Sequence, residues 1–269
     1  VYSPVRPLLP FAVVAVLIAV GVLAPFATRP RDAALPWDAP LAFGPRDIGV
    51  PFSRAAAELT RPAGSPPYAV VVLLPGCAGV TNNERTWSAR LASWGYAAVI
   101  LDPYHPRGIK PLCDHGGRLS AGLRARDALN LADTLGTLPE FAGKPMGVIG
   151  FSAGGQAALY ASLEGGVPGD GRRSPFSAAV AYYPPCVLPA PASRFAIDTQ
   201  VLVGSHDYPR IVHSCSEMAT ALADTPHAPR VKFYPEAQHI FDTLGGHSAA
   251  AADSFAVTRA FLDDHLKAR

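Results

Sequence analysis

The stretch Met146-Gly147-Val148-Ile149-Gly150-Phe151-Ser152-Ala153-Gly154-Gly155-Gln156-Ala157-Ala158-Leu159-Tyr160 decides the fold. Residues 146–149 form a short apolar run with strand character, and residues 156–160 favour helix. Between them stands Gly150-Phe151-Ser152-Ala153-Gly154, a G-x-S-x-G pentapeptide. A strand, a sharp turn and a helix throw the serine hydroxyl out of the end of a sheet. The glycines are needed because side chains there would collide with the neighbouring strand and helix. A chain with 24 glycines produces such a pentapeptide by chance often enough that context must decide its meaning. A functional serine requires a base, an acid and an oxyanion hole in the right order.

Strand-like and helix-like runs alternate around this turn. Residues 68–74 are a fully apolar strand, as expected in the middle of a parallel sheet. Residues 84–94 are helical in pattern, with Gly95 in the position of a C-terminal cap. Strands follow at 96–101, 178–183, 200–204 and 231–234, a long amphipathic helix spans 120–138, and Ala249–Leu266 closes the chain as a helix. Repeated β-then-α order implies right-handed crossovers. The fold class is therefore α/β, a doubly wound, mostly parallel sheet with helices on both faces. Ligands of such sheets bind beyond the carboxyl ends of the strands.

Of 269 residues, 49% are hydrophobic and 16% charged, which supports a sizeable core and excludes general disorder. The net charge of +2 is too small and too dispersed for a nucleic-acid partner. Residues 8–24, LLPFAVVAVLIAVGVLA, are almost unbroken aliphatic sequence behind Arg6. The run is near the lower limit for spanning a bilayer and longer than a typical signal-peptide core. Residues 1–27 are thus expected to be a signal peptide or a membrane anchor, and residues 28–45, rich in Pro, Arg, Asp and Ala, a linker. Residues 46–269 are expected to be one domain that works outside the cytoplasm, secreted or held at the membrane by the apolar segment. Cys77, Cys113, Cys186 and Cys215 make an even count, which in an exported chain suggests two disulfides among three connectivities; free buried thiols are the alternative. No pair has C-x-x-C spacing, which disfavours a zinc ribbon or a thioredoxin-type motif, and no metal site is expected.

A serine hydroxyl is a poor nucleophile near neutrality, so it needs a base, and the base an orienting acid. Among eight histidines, His239 stands in the loop that leaves the last strand; His206 is its competitor. Asp207 leaves the strand 200–204 at its carboxyl end, and Asp242 is the alternative acid. Ser152, Asp207 and His239 follow the nucleophile–acid–base order of α/β-hydrolases. An oxyanion hole needs backbone N–H groups. One is expected from Ala153, directly after the serine. The other is expected from the loop Leu74-Pro75-Gly76-Cys77-Ala78-Gly79, with Cys77 first and Gly76 second, since Pro75 has no N–H.

Together, Leu74-Pro75-Gly76-Cys77-Ala78-Gly79, Gly95-Tyr96 before a strand ending at Asp102, Gly-Phe-Ser-Ala-Gly-Gly, Gly204-Ser205-His206-Asp207 and Tyr234-Pro235-Glu236-Ala237-Gln238-His239-Ile240-Phe241 resemble the dienelactone hydrolase family over roughly residues 45–267. The resemblance implies an α/β-hydrolase fold and cleavage of a carboxylic ester or lactone, a small-molecule substrate, through an acyl-enzyme without a cofactor. It also implies a Ser152, Asp207, His239 triad with Cys77 and Ala153 as oxyanion donors. The best-known members use cysteine as nucleophile, whereas this chain has serine. The segment from Tyr104 to Cys113 resembles a Pro-Arg-Gly…Cys variant of exported or membrane-tethered relatives. Arg107 within it either binds a substrate carboxylate or bridges loops structurally. Pairing of Cys77 with Cys113 and of Cys186 with Cys215 would tie down loops around the site. Peptidase or thioesterase chemistry on the same fold, and a non-catalytic membrane-tethered binding protein, are the alternative functions.

Overall fold

The computed structural model describes residues 57–111, 113, 119–167, 169–243 and 248–267. The expected leader or anchor, the linker, His115 and His247 lie outside the described residues. Among the described residues no helix is long and apolar enough to cross a membrane.

The chain runs through β1 (Ala57–Thr60), β2 (Val70–Leu74), α1 (Asn82–Ser93), β3 (Ala97–Leu101) and a 3-10 turn (His105–Arg107). It continues with α2 (Ala121–Gly136), β4 (Met146–Phe151), α3 (Ala153–Ala161), β5 (Ala178–Tyr182) and β6 (Asp198–Gly204). It closes with α4 (Pro209–Ala221), β7 (Arg230–Tyr234) and α5 (Ala249–Leu266). The strands form one sheet in the order β1-β3-β2-β4-β5-β6-β7. Only the β1–β3 pair is antiparallel. From β2 the chain steps outward to β3, then returns to place β4 on the other side of β2. That reversal opens a crevice between the ends of β2 and β4, the usual ligand position in such sheets.

Alternation along β2 explains why the sheet carries helices on both faces. Val70, Val72 and Leu74 pack with Leu129 of α2 and Ala157 of α3. Val71 and Leu73 face the other way, toward Trp87 and Leu91 of α1 and Leu262 of α5. All five β2 side chains are buried, and each such side chain removed from water contributes about 1.5–3 kcal/mol. Helix α1 starts at a capping box: Thr81 accepts from the Asn83 N–H at 3.1 Å, and Glu84 accepts from the Thr81 N–H at 2.7 Å. β1 had no counterpart in the sequence pattern. Its four residues, Ala-Glu-Leu-Thr, form an edge strand whose Glu58 binds Arg85 of α1, too short and polar to stand out as a core strand.

Arg107 corrects one expectation. Its guanidinium does not face a ligand crevice; it is buried in a two-pronged pair with Asp127 of α2, at 2.7 and 2.8 Å, and also donates to the Pro103 carbonyl at 2.8 Å. Of the two roles left open for it, the structural one fits, with the bridge running from its loop to α2 rather than to a second loop, because a carboxylate of α2 occupies the fork. Cys77 is bonded to Cys113, and Cys186 to Cys215.

Breaking a buried pair from one side leaves a charge in a medium that solvates it poorly, at a cost of about 3–5 kcal/mol. Asp127→Ala is therefore expected to lower the unfolding free energy by about that much in urea titrations. Replacing both partners, as in Arg107→Met with Asp127→Leu, should recover most of the loss. An Asp127→Ala protein as stable as the parent would contradict the assignment.

Candidate active site

Ser152 stands at the junction of β4 and α3 with φ 51° and ψ −115°. A non-glycine residue in this region costs about 1–3 kcal/mol and persists only where its surroundings enforce it. Here its N–H donates to the Tyr182 carbonyl at 2.9 Å, and its carbonyl accepts the Gln156 N–H at 3.0 Å. The flanking glycines have a steric cause. A Cβ on Gly150 would run into the Gly154 carbonyl, and one on Gly154 into the carbonyls of Leu74 and Pro75. The turn therefore presses directly against the end of β2.

The loops after β6 and β7 are laced together by backbone bonds. Ser205 N–H donates to the Tyr234 carbonyl at 2.8 Å, and His206 N–H to the Ala237 carbonyl at 2.9 Å. This places Asp207 opposite His239. His239 Nδ1 lies 2.9 Å from both Asp207 carboxylate oxygens, and its Nε2 lies 3.0 Å from Ser152 Oγ. A carboxylate only accepts, so Nδ1 carries the proton it shares with Asp207 and Nε2 is left free to accept from the serine hydroxyl. The Asp207 side chain is fully buried, and one of its oxygens also accepts the Tyr208 N–H at 2.6 Å. The imidazole is packed between Tyr183 and Tyr208, at ring-centroid distances of 4.7 and 5.2 Å.

The competing residues fall elsewhere. His206 is exposed and lies 3.9 Å from Glu236. His105 pairs with Asp102, and His213 with Glu217. His227 and His265 both bind Asp198, at the start of β6, and so at the opposite end of the sheet from Ser152.

Asp242 does not contact His239. Ile240, at φ 55°, turns the chain, and the Asp242 carboxylate is buried where it accepts from Trp87 Nε1 at 2.8 Å, Tyr183 Oη at 2.6 Å and Asn83 Nδ2 at 3.4 Å. Burial pushes its pKa up, while the three donors work in the opposite direction. Asp242 thereby ties the histidine loop to α1 and anchors the tyrosine that lies against the imidazole. Tyr183 itself has φ 39°. Sequence reasoning missed Tyr183 and Tyr208. The available signal was that Tyr183 directly follows the end of β5 and that Tyr208 directly follows the candidate acid Asp207.

A cleft of about 840 Å³ opens above these groups, with Gly76, Cys77, Ser152, Tyr183 and His239 in its wall. Asp242, Glu84 and Arg90 also line it. Burial raises the pKa of Glu84 and lowers that of Arg90 from their ordinary values; the Arg90 guanidinium stacks on Phe255 at 3.5 Å from the ring centre. Ala153 is the first residue of α3, where helix amides lack an intrahelical acceptor. Gly76 lies against the same turn: a Cβ there would stand 3.7 Å from Ser152 Cβ. The cleft can thus present a hydroxyl nucleophile, an oriented imidazole and backbone donors to one carbonyl group. Among the described residues no group of three or more His, Cys, Asp or Glu side chains is placed to hold a metal ion.

Known proteins share this architecture. Dienelactone hydrolase from Anabaena variabilis superposes with a TM-score of 0.59 at 21% identity, covering 78% of this chain and 91% of that one. A thermophilic esterase from Thermogutta terrifontis, solved with butyrate bound, superposes with a TM-score of 0.60 at 16% identity, covering 79% and 91%. Lipase 1 of Moraxella sp. (strain TA144) is 28% identical over 106 residues, a stretch that spans 39% of this chain and 31% of the lipase. The dienelactone hydrolase family model matches residues 55–266, and the chain belongs to that family.

Proposed function

We propose that the protein is a serine hydrolase that cleaves a carboxylic ester or lactone through an acyl-enzyme. The observation that carries this reading is the unbroken contact line from Asp207 through His239 to Ser152, with Nε2 3.0 Å from Oγ. His239 takes the hydroxyl proton as Oγ attacks the substrate carbonyl. The developing oxyanion is met by the N–H groups of Cys77 and Ala153, and Asp207 stabilises the imidazolium that forms. Collapse of the tetrahedral intermediate breaks the bond to the alcohol oxygen, which leaves with the proton from His239. For a lactone the released hydroxyl stays tethered to the acyl group. Water then attacks the acyl-enzyme, His239 again moving the proton, and the acid departs.

Family membership supports ester-bond hydrolysis as the reaction class. We also propose that the enzyme works outside the cytoplasm, because both cysteine pairs are disulfides and the chain carries the apolar segment at 8–24.

A fluorophosphonate probe is expected to label the folded protein once, on Ser152, and Ser152→Ala should abolish labelling while lowering kcat on a short-chain p-nitrophenyl ester by roughly 10⁶-fold. Asp207→Asn should keep the fold and lower kcat by roughly 10⁴-fold, since the wrong imidazole tautomer then faces the serine. Undiminished turnover in Ser152→Ala would defeat the reading.

A further inference from the structure

The loop that supplies the Cys77 N–H has little of its own to hold it in place. Within residues 76–79 the turn is closed by one backbone bond, from the Gly79 N–H to the Gly76 carbonyl at 3.1 Å. Gly76 also lies against the Ser152 turn, and further fixings come from residues between β3 and α2. Tyr104 Oη donates to the Gly76 carbonyl at 3.3 Å and accepts from Arg124 at 3.3 Å. Pro111 packs on Gly79, where a Cβ would stand 2.7 Å from the proline Cγ. The covalent fixing is the bond from Cys77 to Cys113. Residues 102–107 are themselves firmly mounted: Asp102 accepts the N–H groups of Tyr104 and His105 at 2.9 and 3.1 Å, and Arg107 is locked to Asp127 on α2.

We propose that Cys113 is a positioning residue for the oxyanion site. Through its bond to Cys77 it holds the Cys77 N–H where the developing oxyanion forms, so that full turnover requires this disulfide to be intact. The proposal rests on the serine-hydrolase reading. Its physical basis is the steep dependence of catalysis on placement. Losing one oxyanion donor costs about 10²–10³ in kcat, and a displacement of about 1 Å costs on the order of 10². Once the bond is gone, the loop keeps its internal turn bond, the contact of Gly76 with the serine turn, a 3.3 Å hydrogen bond from Tyr104 and van der Waals contact with Pro111, none of them a covalent hold on residue 77.

The two disulfides differ in a way that makes the idea testable. Cys113 is exposed and Cys77 partly so, at the edge of the cleft, whereas Cys186 and Cys215 are buried. A thiol reductant in solution therefore reaches the Cys77–Cys113 bond first. With dithiothreitol, the two cysteines each gain a hydrogen and the reagent becomes its cyclic disulfide.

The test uses the wild-type protein, Cys113→Ala and the double variant Cys77→Ala with Cys113→Ala. The latter two keep the residue-77 N–H. Active sites are counted by titration to completion with a fluorophosphonate. Turnover per titrated site is expected to fall about 10- to 100-fold in both variants with KM changed by no more than about twofold. Affinity for a trifluoromethyl ketone, which forms an oxyanion on Ser152, should fall by the same factor. Mild dithiothreitol should bring the wild type to the variants' rate, reversibly, and leave the double variant unchanged. A merely structural bond would instead lower the number of titratable sites or the melting temperature and leave turnover per site intact. That outcome overturns the proposal, as does full wild-type turnover when mass spectrometry after alkylation finds Cys77 and Cys113 reduced. Failure of the wild type to take the fluorophosphonate at all would identify the serine-hydrolase reading as the fault, and the positioning role would fall with it.

Discussion

Between the end of β2 and the first turn of α3 there is no room for a side chain. The backbone at Gly154 lies against the carbonyls of Leu74 and Pro75, and that approach forces the chain through the strained conformation at Ser152. Much of the site follows from it. The serine hydroxyl stands beyond the carboxyl end of the central strand, the Ala153 amide lies at a helix start, and Gly76 is brought alongside the turn. The strain at Ser152 is offset by the strands on either side of β4, which are buried on both faces and pack helices against each. A glycine-rich turn would relax without that clamp.

The rest of the site is held by connections between loops rather than by regular structure. Backbone bonds from Ser205 and His206 to the β7 side lock the acid loop to the base loop. Asp242 ties the histidine loop to Trp87 and Asn83 of α1 and to Tyr183 beside the imidazole. The Cys77–Cys113 bond joins the loops after β2 and β3. Each crevice loop therefore has at least one tether to a different element. Such mounting is what the proposed mechanism needs, donors and acceptors that stay in place as charge develops.

The six strands after β1 could be read from the sequence because buried parallel strands require continuous apolar runs, and such runs are easily seen. Ser152, Asp207 and His239 could be singled out because each follows a strand end in a recognisable order. The fate of Arg107 could not: its partner Asp127 is 20 residues away, and only the packed orientation of α2 turns that carboxylate inward. Asp242 was a reasonable rival to Asp207 by proximity in the chain. The positive φ at Ile240 sends it toward α1 instead, and nothing in residue type announces that turn. Tyr183 and Tyr208 were hidden for the same reason, since their contact with the imidazole depends on side-chain packing between loops. Local patterns carried the backbone and the candidate reacting groups, while the groups that support them emerge only from tertiary contact.

Ser152 as the attacking group is the claim on which the mechanism turns. The most direct measurement uses a p-nitrophenyl carbamate, whose carbamoyl-enzyme hydrolyses slowly enough to be digested and sequenced by mass spectrometry. The account predicts one equivalent of p-nitrophenol released per protein and the carbamoyl group on Ser152. A carbamoyl group on another residue, or no release of p-nitrophenol, would contradict it.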